Sequence, residues 1–227
     1  KGETDNTSID SDGRITLARQ AKNIELGDKL DTSWSINTVV ATDDGAVYLG
    51  TSPNAELIKY KNGKTTFIYA PPIENASALA GDETPMINRH IFAMAQDIAG
   101  RLLVAISGDK CQLLRFDGKK HKILFQSEYD NYIFAITLDG LGNIYLGTGP
   151  NGRIYRLDPL GKKLYIIAEL PDNNIHSLAT DPEGFCYAGT DERGLVYKIN
   201  PSSGQTSVLY DTEQSEITAL TFDSEGF

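Results

Sequence analysis

The feature that most constrains this chain is its internal repetition. Asp97, Asp139, Asp181 and Asp223 follow one another at intervals of 42 residues, each with a glycine three positions later: Gly100, Gly142, Gly184 and Gly226. A further copy centres on Gly45, with Thr42 in the aspartate position and Asp43 and Asp44 beside it. Thr42 and Asp97 are 55 residues apart, one period plus a 13-residue insertion that lies within Pro71–Arg89. The Pro, Ala, Asn and Glu content of that insertion predicts an extended loop. A fixed period of this size means one supersecondary unit per repeat, with each unit stacked on the next.

Each unit holds four short segments rich in β-branched and aromatic residues. The first carries Ile36, Ile91, Ile133, Ile175 or Ile217 six residues before the turn position. Two residues later comes a small side chain (Thr38, Ala93, Ala135, Ser177, Ala219), then a large apolar one (Val39, Met94, Ile136, Leu178, Leu220). After the turn come segments such as AVYLGT and NIYLGT, then LIKY, LLRF, IYRL and VYKI, then TTFIYA, KILFQS, LYIIAE and SVLYDT. Alternation is of period two and no segment sustains a helical period. Four strands in about 42 residues is the pattern of a β-propeller blade. The predicted fold is therefore all-β, a β-propeller of four-stranded antiparallel blades, about five in this chain. The units run 36–90, 91–132, 133–174 and 175–216, with a partial one at 217–227. Blades crowd near the axis, so the small inner-strand residues and Gly50, Gly147 and Gly189 (Ala105 in the second unit) are expected where a neighbouring blade comes close.

Residues 1–35 form an N-terminal segment with partial blade strands. Asp10–Gly13 followed by RITLA reads as a turn and a second strand, and Asn23–Leu26 as a later one, whereas Lys1–Ser8 has no strand pattern. Ile217–Phe222 reads as an inner strand. Two arrangements are open: a closed five-bladed ring whose last blade is stitched from both termini, or a piece of a larger propeller.

Within YLGTGPNGRIYRL, Gly147, Gly149 and Gly152 match G-x-G-x-x-G. A dinucleotide site needs a helix after those glycines, because its N-terminus holds the pyrophosphate. A strand, RIYRL, follows instead, so the match is predicted to be a hairpin loop. Gly63-Lys64-Thr65 resembles the end of a P-loop, but Ile58 stands where the leading glycine belongs. The D-x-x-G sites do not continue into a calcium loop; an Asp accepting backbone N–H bonds, with Gly at positive φ, is the expected role. No G-x-S-x-G, H-E-x-x-H or C-x-x-C occurs, so no cofactor and no metal is predicted. The net charge of −10 opposes a nucleic-acid partner and an anionic membrane surface, and no apolar run is long enough for membrane insertion. The two cysteines, Cys111 and Cys186, are too few for a disulfide framework, and Cys186 reads as a small core hydrophobe.

A binding site should break the repeat, because a ligand needs particular groups where the scaffold needs sameness. The loops entering the inner strands and those between second and third strands should open on one face. They differ from unit to unit. At the strand entrances stand Ser35 and Asn37, His90 and Phe92, Tyr132 and Phe134, Asn174 and His176, Glu216 and Thr218. The second loop set offers Asn54, Asp109 with Lys110, Asn151, and Asp191-Glu192-Arg193. The candidate ligand-binding residues are His90, Tyr132, Asn174, His176, Asn151, Asp191 and Arg193, and the insertion should rim the same face. Lys59, Arg115, Arg156 and Lys198 share one repeated place on the third strand. Each is expected to reach solvent or pair with an acidic neighbour in its own blade.

The unit spanning Asp139–Asp158, D-x-x-G-x-(apolar)-Tyr-Leu-Gly-Thr…Gly-x-Ile-Tyr-Arg-Leu-Asp, resembles the propeller repeats of bacterial sensor ectodomains of the two-component-regulator type and related WD40-like secreted proteins. The resemblance covers Ile36 to Phe227. It implies a bacterial, extracytoplasmic (periplasmic or secreted) propeller and carries over no catalytic residue. The expected function is a non-catalytic binding module for a small molecule, a glycan or a protein partner. The alternative is a propeller lyase or hydrolase acting on a sugar or lactone at the loop face, with His90, His176 and acidic loop residues around the mouth.

Overall fold

The computed structural model describes residues 7–9, 11–17, 24, 35–72 and 88–223, in two compact units, 1–31 and 32–227. In the first unit β1 (Thr7–Ile9) and β2 (Ile15–Leu17) form an antiparallel hairpin, with Thr7 opposite Leu17 and Ile9 opposite Ile15. The expected turn and second strand are thus present. Thr7 and Ser8, which carry no strand pattern in the sequence, belong to the first strand, where the turn closed by Gly13 (φ 79°) sets them opposite Leu17 and Thr16 of β2. The strand expected at Asn23–Leu26 lies outside the described residues except for Ile24.

The second unit consists of antiparallel four-stranded sheets in chain order. The first blade is β3 (Ser35–Ala41), β4 (Val47–Ser52), β5 (Leu57–Lys61) and β6 (Lys64–Tyr69). In the second blade the inner strand is split into β7 (Arg89–His90) and β8 (Met94–Gln96), followed by β9 (Leu102–Gly108), β10 (Cys111–Asp117) and β11 (Lys120–Ser127). The third is β12 (Tyr132–Leu138), β13 (Ile144–Gly149), β14 (Arg153–Leu157) and β15 (Leu164–Glu169). The fourth is β16 (Ile175–Thr180), β17 (Cys186–Thr190), β18 (Leu195–Ile199) and β19 (Thr206–Asp211). The glycine-rich 147–152 stretch is the end of β13 and the short turn, 150–152, that leads into β14, with no helix after it.

The turns behave as their residues dictate. Oδ1 of Asp97 accepts the N–H groups of Ala99 (3.0 Å) and Arg101 (2.9 Å), and Oδ1 of Asp139 those of Leu141 (3.0 Å) and Asn143 (2.9 Å). Gly100 and Gly142 take the positive φ (77° and 81°) that closes each turn. In the first blade Asp44 assumes the role, accepting from the Thr42 hydroxyl and the Ala46 N–H.

The core is a set of seams between blades rather than one central mass. One seam joins Leu57 and Ala55 to Ile91, Val104 and Leu114; the next joins Leu103, Ala105 and Leu113 to Ile133, Leu146 and Tyr155; the third joins Tyr145 and Ile154 to Ile175, Cys186 and Tyr197. Burying each such aliphatic side chain contributes roughly 1.5–3 kcal/mol. A single bulge in the inner strands of the first, third and fourth blades, and a break in that of the second, makes the seams possible. Ile175 pairs with Thr190 and Ser177 with Gly189, so residues two apart in β16 face adjacent residues of β17. Adjacent strand residues point to opposite faces, so Ile175 turns back to Gly147 of the third blade while the Ser177 hydroxyl reaches forward to the Ile217 carbonyl (2.9 Å). The same shift occurs between Ile36 and Thr38 and between Ile133 and Ala135.

Two expectations are revised. Ile217–Phe222 forms no strand: Ile217 packs on Gly189 and its N–H bonds the Thr190 carbonyl (3.0 Å), but seam contacts of this kind supply no ladder. The repeated cations are not confined to their own blades. Arg115 does pair with Asp97 (3.1 Å), yet it also donates to the Pro159 carbonyl of the next blade (2.7 Å), and Arg156 donates to that of Pro201 (3.4 Å). Lys59 and Lys198 lie over the rings of Tyr48 and Phe185.

Candidate functional site

The extra residue at each bulge is the one the repeat does not conserve. Asn37, Phe134 and His176 occupy the shift positions of β3, β12 and β16, and Phe92 lies in the break between β7 and β8. A bulge leaves its residue outside the ladder and re-aims its side chain. Here that places residues i and i+2 side by side: His90 stacks on Phe92 (centroids 4.9 Å apart, planes 20°) and Tyr132 on Phe134 (5.4 Å, 20°). Across blades Phe92 meets Phe134 at 5.5 Å, and Phe134 meets His176 at 4.8 Å. The result is a continuous row of rings crossing three blades at the ends where inner strands begin. Gly149 belongs to it, because a Cβ there would collide with Asn174 and the Phe134 ring.

Polar groups finish the row at both ends. On one side Ser35 donates to Asn37, Asn37 Nδ2 donates to Ser52 Oγ, and His90 Nδ1 lies 2.8 Å from that hydroxyl, with Nε2 2.9 Å from Asn88 Oδ1. Asn88 can only accept through that oxygen, so Nε2 carries the proton and Nδ1 accepts from Ser52. Burial lowers the His90 pKa below its ordinary value, favouring the neutral ring that this chain of donors requires. On the other side His176 Nε2 lies 3.9 Å from Glu216 Oε2. The two histidines are thus separated by Phe92 and Phe134 and do not form a pair.

The predicted site residues divide accordingly. His90, Tyr132 and His176 lie in the row. Asn174 borders it and is oriented by Asp191, whose carboxylate accepts the Asn174 N–H (3.0 Å) and Nδ2 (2.6 Å). Asn151 and Arg193 are drawn into supports beneath the loops. Asn151 Nδ2 donates to the Tyr129 carbonyl (2.7 Å) and to buried Asp130 (3.0 Å), which also accepts from the Tyr155 hydroxyl (2.6 Å). One blade on, buried Asp172 accepts from Tyr197 (2.8 Å) and from Arg193 Nε (2.8 Å). Of the insertion, residues 73–87 lie outside the described part; its flanks are joined where Arg89 donates to the Pro72 carbonyl (3.1 Å) and pairs with Asp109. Ser52 and Asn88 also belong to the site, and nothing in the repeat marks them.

No protein-family model matches the chain, and no curated protein matches it in sequence. Solved structures do. The fold is similar to the extracellular domain of the one-component system BT4673 from B. thetaiotaomicron, at 16% identity over 88% of this chain and 26% of that one, with a TM-score of 0.64. It is similar to virginiamycin B lyase from Staphylococcus aureus (14% identity, 89% of this chain and 61% of that one, TM-score 0.59). It is also similar to regucalcin, a calcium-binding protein from Agrobacterium tumefaciens (14% identity, 92% and 67%, TM-score 0.62). The chain therefore spans about a quarter of the first of these proteins and about three fifths of the second. At such identities the likeness speaks to architecture, and with the sheet order and the 42-residue period it leads to one conclusion. The chain is a β-propeller repeat protein.

Proposed function

We propose that this propeller is a non-catalytic binding module that takes its ligand across the row His90–Phe92–Phe134–His176, and that the ligand is a glycan. The observation that carries this reading is the row itself: stacked, half-buried rings floored by three blades, with amide, hydroxyl, imidazole and carboxylate groups at the two ends. A sugar offers an apolar ring face to such a floor and hydroxyls to such edges, and a largely apolar surface with a few placed polar groups is what small-molecule sites use. A small ring-bearing molecule or the side chains of a protein partner would exploit the same row. We further propose an extracytoplasmic location, in keeping with the extracellular domain among the similar structures; among the described residues no helix is long and apolar enough to cross a membrane.

A second reading, a lyase or hydrolase acting on a sugar or lactone, draws support from a neutral His90 in the row and from the lyases among the similar structures. One of these is a catalytically inactive histidine-to-alanine variant of virginiamycin B lyase with quinupristin. The experiment is calorimetric titration with neutral oligosaccharides on the wild type, Phe134→Ala and Tyr129→Ala, the last exposed and off the row, with the products analysed by mass spectrometry. Saturable binding weakened at least tenfold in Phe134→Ala alone, roughly 1.4 kcal/mol, sustains the module. Turnover of a bound sugar would favour the enzyme, and binding equal in all three proteins would remove the row from consideration.

A further inference from the structure

At the opposite end of the second blade from the row, where β9 begins and β10 ends, a recess of 370 Å³ opens between the second and third blades. Arg101, Arg115, Lys120, Lys122 and Lys162 line it, against one lining carboxylate, Asp117. That is a pronounced local excess of positive charge in a chain whose net charge is −10.

The arrangement is specific to this blade. Across the outer strand pair, the repeated third-strand cation faces Thr66 in the first blade, Tyr165 in the third and Ser207 in the fourth. In the second it faces Lys122. Like charges directly opposite one another in an antiparallel pair are destabilising. Arg115 is moreover only 7% exposed, and the one buried carboxylate beside it, Asp97, is shared with Arg101 (2.9 Å to Arg101, 3.1 Å to Arg115). One negative charge thus serves two guanidinium groups. Desolvation and the neighbouring Arg101 push the Arg115 pKa down, and the carboxylates of Asp97 and Asp158 offset them only in part. Lys162 reaches the same recess from the hairpin of the next blade, and among the described residues Lys120, Lys122 and Lys162 are in no ion pair. A guanidinium has five donors, more than the Asp97 and Pro159 partners of Arg115 take.

We propose that this recess is a binding site for a tetrahedral dianion, phosphate or sulfate, with Arg115 and Arg101 at its floor and Lys120, Lys122 and Lys162 at its rim. Guanidinium groups meet such oxyanions with paired, charge-assisted hydrogen bonds, and the mobile lysines supply charge without demanding geometry. A dianion relieves the Arg115–Lys122 repulsion and bridges two blades at once. The volume leaves room for a carrier, so the group is either a free ion or an ester on a larger molecule.

The test is the thermal unfolding midpoint and calorimetry of the whole chain with inorganic phosphate, inorganic sulfate, glucose 6-phosphate and glucose 6-sulfate, each against sodium chloride at equal ionic strength. The expected result is a saturable response to at least one oxyanion and none to chloride, weakened tenfold or more in Lys122→Gln and in Lys162→Gln. Both lysines are exposed, so these variants keep the fold. The free-ion and ester arms identify the source. Phe134→Ala, on the proposed glycan row, should leave the response intact, so failure of one site is distinguishable from failure of the other. A response matched by chloride, or unchanged in the Lys122→Gln/Lys162→Gln double variant, overturns the proposal.

Discussion

Gly147 and Ile175 meet across the seam between the third and fourth blades: a Cβ built on Gly147 would lie 2.7 Å from Cγ2 of Ile175. The same pairing recurs between Gly189 and Ile217, where the distance is 2.5 Å. Only the missing side chain lets the blades approach this closely. Gly147→Ala should therefore destabilise the protein by about 1–3 kcal/mol through overpacking. The second blade carries Ala105 at this position, fully buried in the seam with Ile133, and Ala105→Gly should cost about 1.5 kcal/mol by the opposite route, a lost buried methyl plus strand propensity. Urea midpoints of the two variants measure the difference; a Gly147→Ala protein as stable as wild type would mean that the seam gives way.

The repeated isoleucines are not energetically equivalent. Ile175 is fully buried (0% exposed) between the third and fourth blades, whereas Ile36 on β3 is 47% exposed. Truncation of Ile175 to Ala removes a packed side chain and leaves a cavity, costing about 2–5 kcal/mol. Ile36→Ala in this chain should fall near the ±0.5 kcal/mol of surface changes. Equal losses would show that the face of β3 is covered in solution.

Much of this architecture can be read from the residues because each repeat carries the same turn chemistry and the same alternation. The bulge is not legible in the repeat. Ile175 and Ser177 are two apart, so strict alternation puts them on one face of a strand, yet in the structure they face different blades. That shift also lifts Phe134 and His176 out of the ladder, which is why the positions that vary between repeats coincide with the ring row. The loop residues Asn151 and Arg193 were legible as mouth positions, but not their capture by Asp130 and Asp172. Those aspartates lie about twenty residues away in sequence and are buried by the fold alone. The cationic recess was illegible for a related reason: Arg115 is a repeated residue, and Lys122 and Lys162 come together only across a seam.

Asp172 makes the protein sensitive to acid. Burial by itself would raise the Asp172 carboxyl, but Arg193 and the Tyr197 hydroxyl more than offset it, and the pKa lies below the ordinary aspartate value of 3.8. Asp97 and Asp109 are lowered as well, through Arg101 and Arg89 among their partners. A carboxylate whose folded pKa is depressed contributes stability above its unfolded pKa and loses it as pH falls through the folded value. Stability should thus be level in this respect above about pH 4 and fall steadily below it. Tyr197→Phe should cost about 1–3 kcal/mol at neutral pH, because a buried carboxylate loses a donor, and should flatten part of the acid slope. Urea titrations of both proteins between pH 2.5 and 7 decide this; parallel curves would mean that Tyr197 does not hold the Asp172 charge.

His90 supplies the most direct check of the row. The Asn37, Ser52, His90 and Asn88 groups form one directional run of hydrogen bonds in which Nε2 donates and Nδ1 accepts. Protonation makes both nitrogens donors and sets Nδ1–H against the Ser52 hydroxyl, which must then turn its own proton away. Burial holds the pKa below the ordinary 6.5. Because the folded pKa is the lower of the two, the unfolded chain binds more protons between them, so His90 favours the folded state fully above about pH 6.5 and progressively less as pH falls toward the folded value. Imidazole nitrogen shifts in a ¹⁵N–¹H NMR titration should report the Nε2–H tautomer at pH 7 and a midpoint lower than that of a free histidine. Ser52→Ala removes the donor to Nδ1 and should lower the share of the Nε2–H tautomer at pH 7. A His90 that titrates at or above 6.5 in the wild type, or shows the Nδ1–H tautomer, would break the run of donors and with it the polar end of the ring row.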